Sequence, residues 1–432
     1  MGNIRRTLSY LKRNGPLKTI RMSIQRMRED MAEKDYDRER AEDAVSGSEL
    51  KTQEEHEFKN APFMSVVIPA YETKEEYLRF LLDSLLVQSY QNFEIILADA
   101  GKSEGVSRVC AGYADDRLVY IKLEENLGIA GNTNVAIEHA KGDVLVFADH
   151  DDFLEPDALF HLALAFEDGA ALVYTDEDKY EEVPGEGKGR YFRPNRKPDF
   201  NYDLLLSNNY ISHLTGIKTS LVKQAGGLVK EYDGAQDYDL ILRCVHLLLS
   251  ENGFYEGRVS EAQRVIRHVP RVLYHWRVHE LSTSDNPDSK AYAYEAGRMA
   301  VAAHLKARGI KGRVNHTEHL GFYAIEYDGH KKSSDLSYHI PKDALLAEGD
   351  FRNITEGIFK RKEVRCVAYK VTDRNGVVTE GPYRGMKWWD SGVMHRAVMN
   401  QDIPEDEFSV YCVRRGMKEG LTVYVPGVIF RL

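Results

Sequence analysis

The stretch 143–152, D-V-L-V-F-A-D-H-D-D, constrains this chain more than any other. An uninterrupted apolar run, 144–148, ends abruptly on Asp149, His150, Asp151 and Asp152. A short, wholly apolar run between turn signals suits a strand buried on both faces of a parallel sheet. Gly142 supplies the turn before it, and Pro156 suits the first turn of a following helix. In open α/β sheets, ligands gather beyond the carboxyl ends of the strands. Asp149 and Asp151 are two positions apart, so continued strand geometry points both the same way. Carboxylates crowded on one side of a strand tip repel unless a cation joins them. Mg2+ or Mn2+ carrying a phosphate-bearing ligand is the natural partner. Loop punctuation or helix capping is the alternative reading, and three acids in four positions weigh against it.

The 432 residues, 43% of them apolar, allow two or three domains with a real core. The net charge of −10 argues against a nucleic-acid partner, which would require a basic footprint. That charge is uneven. In 1–28 every charged side chain is basic, and Ile4, Leu8, Leu11, Leu17, Ile20, Ile24 and Met27 are interspersed around Gly15-Pro16. Two short basic amphipathic helices of this kind would rest on an anionic membrane surface, or dock on the chain's own catalytic domain or a partner subunit. The segment 29–62 turns acidic and hydrophilic, which suits a mobile linker. Cys110, Cys244, Cys366 and Cys412 show no C-x-x-C spacing and read as reduced thiols. With no recognisable signal peptide and no apolar run near ~20 residues, the expected location is cytoplasmic, with peripheral contact to the inner membrane face through 1–28.

From Phe63 onward strands and helices alternate. Apolar runs at 64–69, 93–98 and 118–123 read as strands, and Thr73 with Glu76 reads as a capping box for a helix bearing Tyr77, Leu78, Leu81, Leu82, Leu85 and Leu86. The pattern predicts an α/β, Rossmann-like unit, mainly parallel in its sheet, with helices on both faces. Beyond Gly169 the rhythm changes. A strand at 171–174 ends on Thr175-Asp176-Glu177-Asp178, a helix follows 234–240, an extended stretch ends at His275-Trp276-Arg277-Val278-His279, and 290–309 is helical. The remainder is short strands and turns. The expected layout is a basic helical segment 1–28, a linker 29–62, a catalytic domain 63–285, a helical extension 286–315 and a small β-rich region 316–432.

Six motifs stand in order: V-V-I-P-A-Y at 66–71, I-I-L-A-D at 95–99, E-N-L-G-x-x-G-N-x-N at 125–134, D-H-D-D at 149–152, Q-D-Y-D-L at 236–240 and H-W-R-x-H at 275–279. Together they resemble family 2 glycosyltransferases of the GT-A fold, over about 63–308. The likeness is strongest to bacterial enzymes that build cell-surface polysaccharides, rhamnosyltransferases among them.

The resemblance implies roles. Pro69, Ala70, Tyr71 and Glu72 would hold the nucleotide base and ribose, and Asp99 would hydrogen-bond a uracil or thymine edge. Here the chain has Asp99-Ala100-Gly101-Lys102 where the family usually has Asp-Asp-Gly-Ser, so a second carboxylate is missing. Asn126 and Asn134 would lie beside the nucleotide. Asp149, His150 and Asp151 match the metal-binding D-x-D: Asp151 coordinates, Asp149 contacts the ribose, the metal or its bound water, and His150 adjoins the nucleotide sugar. His279, or else His275, would be a further metal or phosphate ligand. Asp237 would be the general base, beside Gln236 where the family commonly has Glu. Asp176, Glu177 and Asp178 would face donor sugar or acceptor. The segment 367–401 faintly resembles the acceptor side of a second such domain, a remnant serving packing, pairing or acceptor presentation.

The expected activity is metal-dependent inverting transfer of a sugar from a UDP- or dTDP-sugar to a hydroxyl of a growing bacterial surface glycan. Mg2+ or Mn2+ is the cofactor, a glycan or lipid-linked molecule the acceptor, and a homodimer the expected assembly. The rival readings are a non-catalytic nucleotide-sugar-binding scaffold and a metal-dependent phosphohydrolase.

Overall fold

A computed structural model describes residues 36, 38–183, 189–256, 260–279, 291–317, 320–327, 335–375, 377–380, 408–417 and 420–432. The segment 1–28 therefore lies outside the described residues, as does all of 381–407.

Strands β1 (Met64–Ala70), β2 (Phe93–Asp99), β3 (Leu118–Lys122) and β4 (Val144–Phe147) form the first half of a nine-stranded sheet. Here all pairings are parallel, in the order β3-β2-β1-β4. Successive side chains of a strand alternate between faces. Val66 and Ile68 accordingly join the core with Leu78, Leu81, Leu82 and Leu85 of helix Glu75–Leu86, while Val67 joins helices Gly128–His139 and Gln236–Glu251 on the opposite face. Each fully buried Leu contributes about 1.5–3 kcal/mol. The Thr73–Glu76 capping box does not form: Lys74 is the N-cap, and the Thr73 hydroxyl is buried without a hydrogen-bond partner. Gly142 is required at the entry to β4, because a Cβ there would sit 2.6 Å from the Ser65 amide nitrogen.

Past β4 the sheet is mixed. The remaining strands are β5 (Phe153–Leu154), β6 (Leu172–Glu182), β7 (Gly189–Asn195), β8 (Thr215–Lys218) and β9 (Ile266–Arg277), and the order continues β4-β8-β6-β9-β5. Strand β8 runs antiparallel to β4 and β6, whereas β6 and β9 are parallel. The expectation of a mainly parallel sheet thus holds for the half that follows the alternating pattern. Strand β6 does not stop at Tyr174. It continues through Thr175-Asp176-Glu177-Asp178, with register shifts around Asp176, and buries all three acids.

The C-terminal region is β-rich. A hairpin of β10 (Gly312–His316) and β11 (Tyr323–Tyr327) precedes a six-stranded sheet built from β12 (Leu336–His339), β13 (Leu345–Glu348), β14 (Val364–Thr372), β15 (Val378–Glu380), β16 (Tyr411–Arg414) and β17 (Leu421–Arg431). It is tied to the first domain by ions. Arg361, fully buried, forks onto Asp203 and gives its Nε to Glu363 at 2.9 Å, and Arg308 grips the same Glu363 at 2.9 and 3.1 Å.

The stretch expected as a linker is partly structured. Ser46 and Glu49 form a reciprocal capping box for helix Gly47–Glu54. Upstream, Tyr36 donates to buried Asp178 at 2.7 Å, and Arg40 meets Glu155 at 2.5 Å. Hydrophilic composition hid these anchors because they engage buried acids rather than apolar surface.

Candidate active site

Two adjoining chambers open beyond the carboxyl ends of β1 and β4. The smaller, about 340 Å3, is lined by Pro69, Ala70, Tyr71 and the four residues 149–152. The larger, about 700 Å3, contains Asp237. Pro69, Ile129, Asp149 and Trp276 wall both.

Strand β5 explains how distant motifs meet. It follows the D-H-D-D turn and pairs antiparallel with β9, setting Phe153 against His275. The end of β9 is thereby folded over the acidic turn. Tyr274 locks that turn: it accepts from the Asp149 amide at 3.1 Å and donates to Asp152 at 2.7 Å. The Arg277 amide donates to the other Asp152 oxygen at 2.8 Å, and its Nε to the Asp151 carbonyl at 2.9 Å. Its guanidinium lies within 4.7–5.5 Å of the Tyr77, Phe80, Phe153 and Tyr180 rings. Asp152 is therefore a structural acid. Burial pushes its pKa well up, and the Asp151 and Asp149 charges add to that. Asp151 and His279, both half-buried, sit 2.8 Å apart.

His213, on the loop before β8, places its Nε2 3.4 Å from Asp149 and stacks on Tyr274. Burial works to lower its pKa, but the carboxylates of Asp149, Asp237 and Asp152 prevail and raise it to about 9. Those carboxylates favour the charged imidazole. Asp237 occupies the first turn of helix Gln236–Glu251 and accepts from the Asn209 amide at 2.8 Å. Burial raises its pKa, while His213 and the Asn209 hydrogen bond pull it back. Gln236 serves the loop, accepting from the Gly234 amide at 2.8 Å.

Several expected residues stand elsewhere. Asp99 is fully buried and committed to the Gly101 amide, the Tyr120 hydroxyl and Lys122, at 2.8–2.9 Å, away from the chamber walls. Glu72 adopts a left-handed backbone (φ 48°) beside that cluster and accepts from the Lys102 amide. Asn134 bonds both backbone groups of Leu228, so it staples helix Gly128–His139 to the loop at 226–229. The neighbouring Asn132 takes its place beside Asn126, at 3.0 Å, in the wall of the smaller chamber. Asp176 is held by His268, Glu177 by Lys197, and Asp178 by His275 and Tyr36, so none of the three faces a ligand. His275 is no metal ligand here, being buried between Asp178 and Glu155 at 2.6 and 3.0 Å. Sequence reasoning missed Asn209 and His213, which carry no motif, and left Trp276 and Arg277 without roles inside a motif it had noticed.

Residues 65–226 match the family model described as glycosyl transferase family 2. This is a family 2 glycosyltransferase domain. Among curated relatives, a 251-residue stretch is 39% identical to the uncharacterized protein y4gI of Sinorhizobium fredii, covering 57% of this chain and 26% of that protein. The O-antigen biosynthesis protein RfbC of Myxococcus xanthus is 31% identical over 258 residues, 59% of this chain and 19% of RfbC. The chain thus spans about a quarter or less of these two relatives. Among solved structures, S. aureus TarS in complex with UDP-GlcNAc aligns at 20% identity and a TM-score of 0.42, over 56% of this chain and 66% of that one.

The glycosyltransferase domain offers a metal two oxygen donors, Asp149 and Asp151, and one imidazole, His279. Among the described residues no trio of acidic, His or Cys side chains is already gathered tightly enough to cage an ion. Carboxylate oxygens and an imidazole are donors that Mg2+ or Mn2+ accepts alongside substrate phosphates. Buried donors await a ligand as well. His213 Nδ1, Trp276 Nε1 and Arg277 Nη2 have no hydrogen-bond partner within the protein, although all three residues line the chambers. Buried polar atoms in native proteins are nearly always satisfied, so such a cluster marks a place for an acceptor-rich group.

Proposed function

We propose that this chain is a metal-dependent inverting glycosyltransferase that moves a sugar from a UDP- or dTDP-sugar to a hydroxyl of a bacterial surface glycan. The observation carrying the reading is the position of Asp149 in the wall of both chambers, so that the acidic turn and Asp237 face one continuous cleft. The family match supports glycosyl transfer, and the likeness to RfbC supports a surface-glycan setting.

Pro69, Ala70 and Tyr71 seat the nucleoside at the tip of β1. A Mg2+ or Mn2+ ion held by Asp151, His279 and Asp149 would offset the charge developing on the leaving diphosphate. Arg277 Nη2 and Trp276 Nε1 donate to the same oxygens. Asp237 removes the proton of the acceptor hydroxyl as that oxygen attacks the anomeric carbon. The bond from that carbon to the diphosphate oxygen breaks on the opposite side, which inverts the centre. Asn209 fixes the Asp237 carboxylate, and both Asn209 and His213 counter the rise in its pKa that burial causes. Among the described residues no helix is long and apolar enough to cross a membrane. Peripheral attachment through 1–28 belongs to the same proposal.

The test is sugar transfer from a panel of UDP- and dTDP-sugars by wild type, Asp151→Asn and Asp237→Asn. Equal turnover in all three would sink the assignment.

A further inference from the structure

The larger chamber has a wall that the family match does not reach. Tyr292 and Tyr294, at the start of helix Ala291–Ala307, and Tyr323, on β11, line it together with Trp276. We propose that this wall is the acceptor subsite and that it receives an uncharged pyranose ring. The proposal rests on the reading of the cleft as a site of glycosyl transfer.

Three observations carry it. The first is placement. Gly234 lies three positions before Asp237, and a Cβ there would fall 2.7 Å from the Tyr292 ring and 2.9 Å from the Ala293 Cβ. Only glycine lets helix Ala291–Ala307 come this close, and the closeness sets the Tyr292 ring against the loop that leads to Asp237. Tyr323 is fixed as deliberately: its hydroxyl donates to the Tyr294 carbonyl at 2.8 Å, its ring stacks on Tyr238 at 19°, and Gly297 leaves room for it.

The second is exposure. Tyr292 is 59% exposed within a concave cleft, an aromatic face left open where a ligand would cover it. Aromatic rings combine a large apolar face with a polar edge. A pyranose matches this, with a C–H face to lie on the ring and hydroxyls at its rim. Asn208, Asn209 and Ser212 line the same chamber. Asn208 gives one N–H to the Gly321 carbonyl, and an amide has further donor and acceptor capacity for such hydroxyls.

The third is charge. Among the described residues, neither Lys nor Arg lines this chamber, whereas Asp149, Asp233 and Asp237 do. A phosphate or uronate carboxylate entering beside Asp233 and Asp237 would meet like charge, with neither Lys nor Arg among the described lining residues to offset it. The reacting end of the acceptor is therefore a neutral sugar.

The experiment is saturation-transfer NMR on the full chain, with methyl β-D-glucopyranoside, methyl β-D-galactopyranoside, methyl α-L-rhamnopyranoside and methyl β-D-glucuronide as probes. Ring protons of at least one neutral glycoside should receive saturation, and those of the glucuronide should not. Tyr292→Ala should weaken the neutral contact about three- to tenfold, the loss of one aromatic stacking partner, while Tyr292→Phe retains it. Because Tyr292 is largely exposed, its loss should leave the melting temperature in place. Met299→Ala, on the same helix but outside the chamber, is the unchanged control. Silence from all three neutral glycosides, equal saturation of the glucuronide, or wild-type contact in Tyr292→Ala would each overturn the proposal. A parallel UDP titration separates the two readings: glycosides bound without UDP binding counts against the donor reading alone, and UDP bound without glycosides counts against the acceptor wall alone.

Discussion

His279 Nε2 lies 2.8 Å from Asp151 Oδ2, across 128 positions of chain. The pairing of β5 with β9 makes this approach, so the proposed metal-ligand pair depends on a two-residue strand that immediately follows the acidic turn.

Replacing His279 with Ala, or Asp151 with Asn, should weaken Mn2+ binding by about 10- to 100-fold, the usual size of effect for groups that hold or orient a metal. Thermal shift with UDP, recorded across a Mn2+ titration, measures this without turnover. Identical Mn2+ midpoints in wild type and both variants would refute it.

Asp237→Asn should cut turnover by about 10^2- to 10^4-fold, the range of a lost general base. Burial raises the pKa of Asp237, and the base works only when ionised, so the acid limb of the rate profile should lie above the ordinary carboxylate range. The Asn209 hydrogen bond lowers that pKa. Asn209→Ala should therefore move the acid limb to higher pH, and a limb that stays put would detach Asn209 from the base.

His304 reports on the folded state. Burial depresses its pKa to about 3, helped by His246 and Arg308, and its Nε2 faces the Tyr202 hydroxyl at 2.7 Å. The unfolded chain binds this proton near pH 6.5, while the folded chain does not until about 3. Stability should therefore fall as pH drops through that window, by up to about 1.4 kcal/mol per pH unit. His304→Asn should flatten this slope in denaturant melts at pH 4–7. An unaltered slope would show that His304 is not the group responsible.

Arg361→Ala leaves Asp203 and Glu363 buried with fewer partners and should destabilise the protein by about 3–5 kcal/mol. Because Arg361 connects the C-terminal sheet to helix Tyr202–Ser207, limited proteolysis should cut that sheet first. Wild-type resistance would show the two units to be held by other contacts.

The regular half of the sheet was legible because buried strands and amphipathic helices have a period, and β1, β2 and β4 fall where the apolar runs do. The acidic turn was legible for the same reason. What escaped were groups whose role comes from pairing between distant segments. Asp99 looks in sequence like a free carboxylate at a strand end, yet Tyr120 and Lys122 on the adjacent strand occupy it. The acids at 176–178 look like a ligand cluster, but β6 continues through them and each meets a buried basic partner. Nothing in the neighbourhood of His213 or Asn209 marks them, since their partners, Asp149 and Asp237, are set by the antiparallel return of β8.

Gly234 has a mechanical consequence. Its missing side chain lets the loop before Asp237 and the head of helix Ala291–Ala307 touch backbone to side chain, with no compressible layer between. A displacement of that helix is therefore transmitted to the carboxylate three residues on. On the proposed acceptor reading, load placed on the tyrosines by an arriving molecule would become strain at the Asp237 carboxylate, so occupancy and alignment would be two readings of one lever.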